Sequence, residues 1–174
     1  MGKTRTLEST LVHSNDWYRI RRDMIEGRDI PYFVLEREPF CLVVAEDGDK
    51  LLLIEEWRHP AQVHMLDFPG GWLEKEEIPH DAALREFREE TGYEADDVDF
   101  LCAPYAFAGI SAVKSHIFRT RGELRFVGQK LDTTEDGIKV VWMTRAEIAA
   151  AERSGKALSA DIYKCLGALE LLKY

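Results

Sequence analysis

The amino-acid sequence predicts a mixed α/β protein, with a mixed β-sheet and helices packed against its faces. Three observations carry that expectation. Short apolar runs broken by turn residues fill the amino-terminal part, one sharply bounded helix follows, and two further helical patterns close the chain. The extended runs follow one another like hairpins rather than in regular βαβ alternation, which disfavours a doubly wound parallel sheet. A chain of 174 residues fits one domain with one substantial core.

Trp17–Ile25, Tyr32–Glu36, Phe40–Ala45 and Lys50–Glu56 read as strands, separated by Gly27, Pro39 and the acidic turn Glu46-Asp47-Gly48-Asp49. The residues before Trp17, His13 among them, read as a mobile start. Asp47-Gly48 between two apolar runs is a hairpin signal, because glycine accepts a positive φ at no steric cost; Phe40–Ala45 and Lys50–Glu56 are therefore expected to pair antiparallel. After His64–Phe68 and Pro69-Gly70-Gly71 comes a helix opened by Pro79 and closed by Gly92, with Ala83, Leu84 and Phe87 as its apolar stripe. Phe100–Phe107, Ser115–Thr120 and Lys139–Trp142 are expected as further strands, and Arg145–Ser154 and Ala160–Lys173 as helices.

Composition narrows the function. Thirty-two acids against 23 bases, a net charge of -9, disfavour a nucleic-acid partner, which needs clustered Lys and Arg. No stretch approaches the length of a membrane span and no apolar leader opens the chain, so neither a membrane partner nor secretion is expected. Cys41, Cys102 and Cys165 show no metal-ligand spacing and fit reduced core thiols of a cytoplasmic protein.

The chemistry concentrates on the helix. Glu86, Glu89 and Glu90 are related by i, i+3 and i+4, which places three carboxylates on one face. Like charges so close repel one another unless something positive sits among them, and hard oxygen donors at this spacing suit Mg2+ or Mn2+. A solvated acidic face is the commoner origin of such a stretch. The surrounding intervals change the balance: Gly71, Glu77, Arg85-Glu86, Glu89-Glu90 and Gly92 form the string G-x5-E-x7-R-E-U-x-E-E-x-G-U.

That string resembles the Nudix box at every fixed polar and glycine position from Gly71 to Tyr93, with Phe87 and Tyr93 where the family favours aliphatic residues. The resemblance implies a Nudix-type α/β/α sandwich with a mixed sheet and helices on both faces. It implies one domain over residues 1–174, with residues 1–40 an amino-terminal β extension and the box at 71–93. Glu86, Glu90 and the Gly70 carbonyl would then ligate Mg2+ or Mn2+ with Glu89 assisting, Arg85 would hold the acidic cluster or Glu77, and Gly71, Glu77 and Gly92 would shape the motif. The alternative for Arg85 is an ordinary surface ion pair.

Outside the box the chain is similar to the ADP-ribose pyrophosphatase branch of that family, through Leu51–Ile54 with Trp57-Arg58-His59-Pro60, through Leu66-Asp67-Phe68-Pro69-Gly70-Gly71, and through the tail from Gly155 to Leu172. The likeness implies hydrolysis of a nucleoside diphosphate derivative, ADP-ribose or another sugar nucleotide, to a nucleoside monophosphate and a phosphorylated sugar, by a homodimer. Arg58 becomes a candidate to grip the diphosphate, with Gly109 also on the substrate side. Trp57 or Trp72 could stack on a base or belong to the core. Asp67 could meet a substrate hydroxyl or amine, or accept backbone N–H groups. Glu135 or Asp136 is a candidate general base beside Gly137, and a helix glutamate, Glu89 among them, is the alternative. His59, His64, His80 and His116 show no spacing that selects one of them.

Two positions depart from the branch. Ala108 stands where a proline is usual, and Ala112-Val113 replace an acid. Dinucleoside polyphosphates and nucleoside triphosphates therefore stay open as substrates. A Nudix domain that binds a nucleotide without cutting it is the reading from a different class, and isoprenoid diphosphate isomerisation is another.

Overall fold

The computed structural model describes residues 4–131 and 137–172. It divides into two compact units: the chain up to Pro39 together with Pro104–Ser115, and Phe40–Ala103 together with the chain from His116 onward. Among the described residues no helix is long and apolar enough to cross a membrane.

The first unit is a three-stranded antiparallel sheet of β1 (Thr6–Ser14), β2 (Arg19–Ile25) and β3 (Tyr32–Glu36) in that order. The mobile start expected before Trp17 is instead β1, with His13 opposite Ile20. β1 has no buried residue, so it lacks the half-apolar alternation that marks a packed strand; pairing with β2 holds it. Trp17 itself precedes β2 and is exposed.

In the second unit, β4 (Phe40–Val44) is buried along its whole length. Cys41, Val43 and Ala45 join one apolar cluster with Leu52, Leu73, Ala82, Ala83, Phe87, Val98 and Phe118. Leu42 and Val44, pointing the other way, are buried as well, so both faces of β4 are covered. The expected pairing of Phe40–Ala45 with Lys50–Glu56 is confined to its inner end, where Leu52 N–H donates to the Ala45 carbonyl at 3.0 Å. Asp47-Gly48 does turn the chain, but it joins only the two-residue β5 (Glu46–Asp47) to β6 (Lys50–Arg58). β4 lies in a different sheet, in the order β4-β9-β8 with β8 at Tyr93–Cys102 and β9 at Ser115–Phe126.

The remaining strands make a mixed sheet. β10 (Lys139–Thr144), β6 and β7 (Val63–Asp67) run antiparallel in that order, and the short β11 (Ala157–Leu158) pairs parallel with β7. The helix α1 (Pro79–Thr91) packs against β4, β8 and β10, α2 (Arg145–Arg153) against β10, and α3 (Ala160–Leu171) against β4, β7 and β8. The mixed α/β class is present, with its strands distributed over three sheets.

β8 starts directly after Gly92, well before the expected Phe100–Phe107, and the chain leaves it at Cys102. The acids of Tyr93–Asp99 conceal a strand that β9 supports from opposite: Glu94 faces Arg125, Asp97 faces Arg121 and Asp99 faces Arg119. Phe100, Tyr105 and Phe107 are exposed, so their apolar character records no burial.

α1 begins with Pro79 and ends on Gly92, as expected. Gly92 has φ 72°, and its N–H donates to the Arg88 carbonyl at 2.9 Å. Its inward face, however, is Ala82, Ala83, Glu86, Phe87, Glu90 and Thr91, with Leu84 only partly buried. The segment after β9 closes this end: Lys130 N–H donates to the Glu89 carbonyl at 3.0 Å and Gln129 Nε2 to the Glu90 carbonyl at 2.6 Å. A Cβ on Gly92 would lie 2.7 Å from the Gln129 nitrogen. Gly92→Ala is therefore expected to lose about 1–3 kcal/mol of stability, read as a lower urea midpoint at unchanged slope. An unchanged midpoint would show that this end of α1 relaxes freely.

Candidate active site

Pro69-Gly70-Gly71 is laced to β4 before the helix begins. Val43 N–H donates to the Pro69 carbonyl at 2.8 Å and Cys41 N–H to the Gly71 carbonyl at 2.9 Å. A Cβ at Gly70 would lie 2.1 Å from the Cys41 carbonyl oxygen, and one at Gly71 would lie 2.4 Å from the Glu86 carboxylate. Only glycine fits at Gly70, where the clash is with backbone, whereas a side chain at Gly71 would displace the Glu86 carboxylate.

Glu86 and Glu90 are one turn apart on the buried side of α1, 7% and 4% exposed. Carboxylates at that depth need partners. Gly70 N–H donates to Glu90 Oε2 at 2.7 Å. Arg85 supplies the rest: Nε and Nη2 donate to the two Glu77 oxygens at 2.9 and 2.8 Å, and Nη1 donates to Glu86 Oε1 at 2.7 Å and Glu89 Oε2 at 3.3 Å. Nη2 also reaches the Trp72 carbonyl at 3.3 Å. The Arg85 hydrogen bonds hold the Glu77 carboxyl below its ordinary range, and Glu77 raises the guanidinium in return. Glu77 thus takes the two-contact fork, while Glu86 and Glu89 share the third nitrogen.

Among the described residues no three His, Cys, Asp or Glu side chains converge as a ready metal cluster. Glu86 and Glu89 are turned onto Arg85 and Glu90 onto Gly70. The donor set nevertheless fits a hard divalent cation, because three carboxylates share a single guanidinium and a fourth, Glu90, is buried on the same helix face beside the Gly70 N–H.

Beside the loop, Arg58 ends β6 and Asp67 ends β7. Ile54 is the register partner of Asp67, and Arg58 that of Val63, so Asp67, Glu56 and Arg58 project from one face. Arg58 Nη2 forms ion pairs with Glu56 Oε1 at 2.5 Å and Asp67 Oδ2 at 3.3 Å. Asp67 is buried, and its Oδ1 accepts the Phe68 N–H at 2.8 Å, the backbone-acceptor geometry. Burial, with the charge of Asp161 adding to it, pushes the Asp67 carboxyl up to about 7 against a Ser159 hydrogen bond and the Arg58 charge. Trp57 is half exposed, edge-on to His64 at 5.3 Å, whereas the Trp72 ring lies 5.1 Å from Phe40. Gly109 belongs to the other unit, where its carbonyl accepts the Tyr32 hydroxyl. Glu135 and Asp136 lie outside the described residues. Glu56, Gln129 and Asp161 were not expected at these places. Glu56 was legible two residues before Arg58 on the same strand face, but nothing local marks the other two.

The model of the NUDIX domain family matches residues 36–164. The chain belongs to this family. It is 31% identical over 129 residues to a methanol dehydrogenase activator of Bacillus methanolicus, covering 70% of each chain. It is 35% identical over 95 residues to an ADP-ribose pyrophosphatase of Bacillus subtilis, covering 55% of this chain and half of that protein's length. A crystal structure of an ADP compounds hydrolase shares the fold, with a TM-score of 0.74, 20% identity and coverage of 99% of this chain and 94% of that one. The Nudix match takes in the whole acidic helix, the glycine loop and Arg58.

The raised Asp67 carboxyl has a measurable linkage. Its folded value of about 7 lies above the unfolded one, so the contribution is fully present below about pH 4 and lost as pH rises through about 7. Asp67→Asn removes that loss. Relative to the natural protein, the variant is expected to gain on the order of 1–4 kcal/mol between about pH 4 and pH 8 in urea unfolding. A stability difference independent of pH would show that Asp67 is ionised throughout.

Proposed function

We propose that this Nudix protein is a divalent-metal-dependent hydrolase that cleaves the diphosphate linkage of a nucleoside diphosphate derivative, ADP-ribose or another sugar nucleotide. The observation that carries the reading is the cradle in which Arg85 gathers Glu77, Glu86 and Glu89 while Gly70 N–H fixes Glu90. Glu86, Glu89, Glu90 and the Gly70 carbonyl would hold Mg2+ or Mn2+. Such an ion, when bound, neutralises phosphate charge and lowers the pKa of a water. Arg58 grips the diphosphate with its outward donors, and half-exposed Trp57 offers a ring for base stacking. The similarity to proteins described as ADP-ribose pyrophosphatase and ADP compounds hydrolase supports this substrate class.

The reaction adds water to one phosphorus and breaks the bridging P–O bond, giving a nucleoside monophosphate and a phosphorylated sugar. A base must take the proton of the water. We assign it to Glu135 or Asp136, because Gln129 and Lys130, shortly before this pair, are bonded to the backbone of Glu90 and Glu89. The chain acts as one Nudix domain over residues 1–174, with residues 1–40 as its β extension, in the reducing cytoplasm that suits its free cysteines.

A panel of ADP-ribose, sugar nucleotides, dinucleoside polyphosphates and nucleoside triphosphates with Mg2+ or Mn2+ tests the reading, and cleavage of ADP-ribose or a sugar nucleotide is the expected result. Glu90→Gln should lower kcat by on the order of a hundredfold or more with the fold retained. Of Glu135→Gln and Asp136→Asn, one should lower kcat with little change in KM. No cleavage across the panel sinks the proposal, and full activity of Glu90→Gln sinks the ligand assignment. We further propose a homodimer. The exposed Leu7, Leu11 and Phe33 of the three-stranded sheet suit an interface, and light scattering is expected to return twice the chain mass; a monomer mass rejects it.

A further inference from the structure

The Asp67 carboxylate is fully enclosed yet bonded to a side chain that reaches solvent. Arg58 is 46% exposed at its side chain, while Asp67 and Glu56 are 4% and 13% exposed. Both acids meet the same guanidinium nitrogen, Nη2. Nε and Nη1 of Arg58 have no partner among the described residues. An arginine held at one nitrogen keeps two donor groups in a set direction, which is what recognition of a phosphate oxygen pair requires.

We propose that Asp67 is a positioning residue for Arg58: with Glu56 it anchors Nη2, leaving Nε and Nη1 to grip the substrate diphosphate, so that the grip depends on the charge of Asp67. The assignment rests on the reading of Arg58 given above.

Charged and polar neighbours of Asp67 from two elements enter this balance. Glu56 and Arg58 come from β6, and Ser159, Asp161, Lys164 and the Cys165 thiol from the start of α3. Lys164 pairs with Asp161 at 2.5 Å, and the Arg58 guanidinium is shared between Glu56 and Asp67. Three acids then face two bases, and Asp67, the most enclosed of the three, is the one that takes up a proton first. A neutral Asp67 no longer attracts the guanidinium. Substrate grip should therefore weaken as pH falls through neutrality, and this Asp67-dependent change should appear in KM rather than in kcat, because Arg58 does not perform the hydrolytic step.

Two measurements on the full chain test this. In the free protein, the Arg58 Nε–Hε NMR resonance should move between about pH 6 and pH 8 and stay fixed in Asp67→Asn. With Mg2+ and ADP-ribose, Asp67→Asn should raise KM about tenfold at pH 8, with kcat within about threefold, and should remove the rise of KM at low pH. Glu56→Gln should raise KM as well but keep that pH dependence, and Asp67→Glu should recover part of the grip. Thermal midpoints well above the assay temperature in every variant, at pH 6 and at pH 8, separate these effects from unfolding. An Arg58 resonance that ignores pH, or moves equally in Asp67→Asn, overturns the coupling. An unchanged KM in both Asp67→Asn and Glu56→Gln overturns the positioning role. A resonance that behaves as expected in a protein that cleaves no ADP-ribose upholds the coupling and rejects the substrate reading instead.

Discussion

One guanidinium makes the acidic helix possible. Buried carboxylates cost several kcal/mol each when left without partners, and Glu86 lies almost wholly out of water. Arg85 answers this by dividing its donors: a two-contact fork to Glu77 fixes the plane of the guanidinium, and the remaining nitrogen falls between Glu86 and Glu89. Glu77 stands outside the helix, so the same contacts tie the loop after Gly71 to the helix face. Its Oε2 also accepts the Glu74 N–H at 2.8 Å, which closes that loop on itself.

The second constraint is steric. β4 is covered on both faces and cannot shift, and the Cys41 carbonyl comes so near Gly70 that no side chain fits between them. The loop therefore inherits the rigidity of the sheet, and its N–H is delivered to Glu90. At Gly71 the absence of a side chain leaves room for the Glu86 carboxylate. The acidic groups are thus held by a helix, one arginine and a loop fastened to a sheet. Cys41 contributes its backbone and its bulk: burial pushes its thiol up to about 12, which makes it inert at neutral pH.

Parts of this were legible because their causes are local. Pro79 and Gly92 bound α1 through backbone geometry alone, and the intervals from Gly71 to Tyr93 placed the carboxylates on one face. Where the reading failed, the cause lay elsewhere in the chain. Asp47-Gly48 has the chemistry of a hairpin turn, yet β4 takes its partner from β9. β8 looks too acidic for a strand until Arg119, Arg121 and Arg125 are opposite it. Helical period marks Leu84 as core, but Glu86 and Glu90 occupy the inward face because Arg85 and Gly70 meet them there.

The sequence by itself determined the family, the helix and the residue types of the acidic cluster, since these depend on spacing along one chain segment. Tertiary structure alone decided which carboxylate each donor serves, that Trp57 is exposed while Trp72 packs on Phe40, and that Asp67 is enclosed with Arg58 beside Asp161. Burial and charge environment are properties of what surrounds a side chain in space, and α3 brings Asp161 and Ser159 to Asp67 from the far end of the chain.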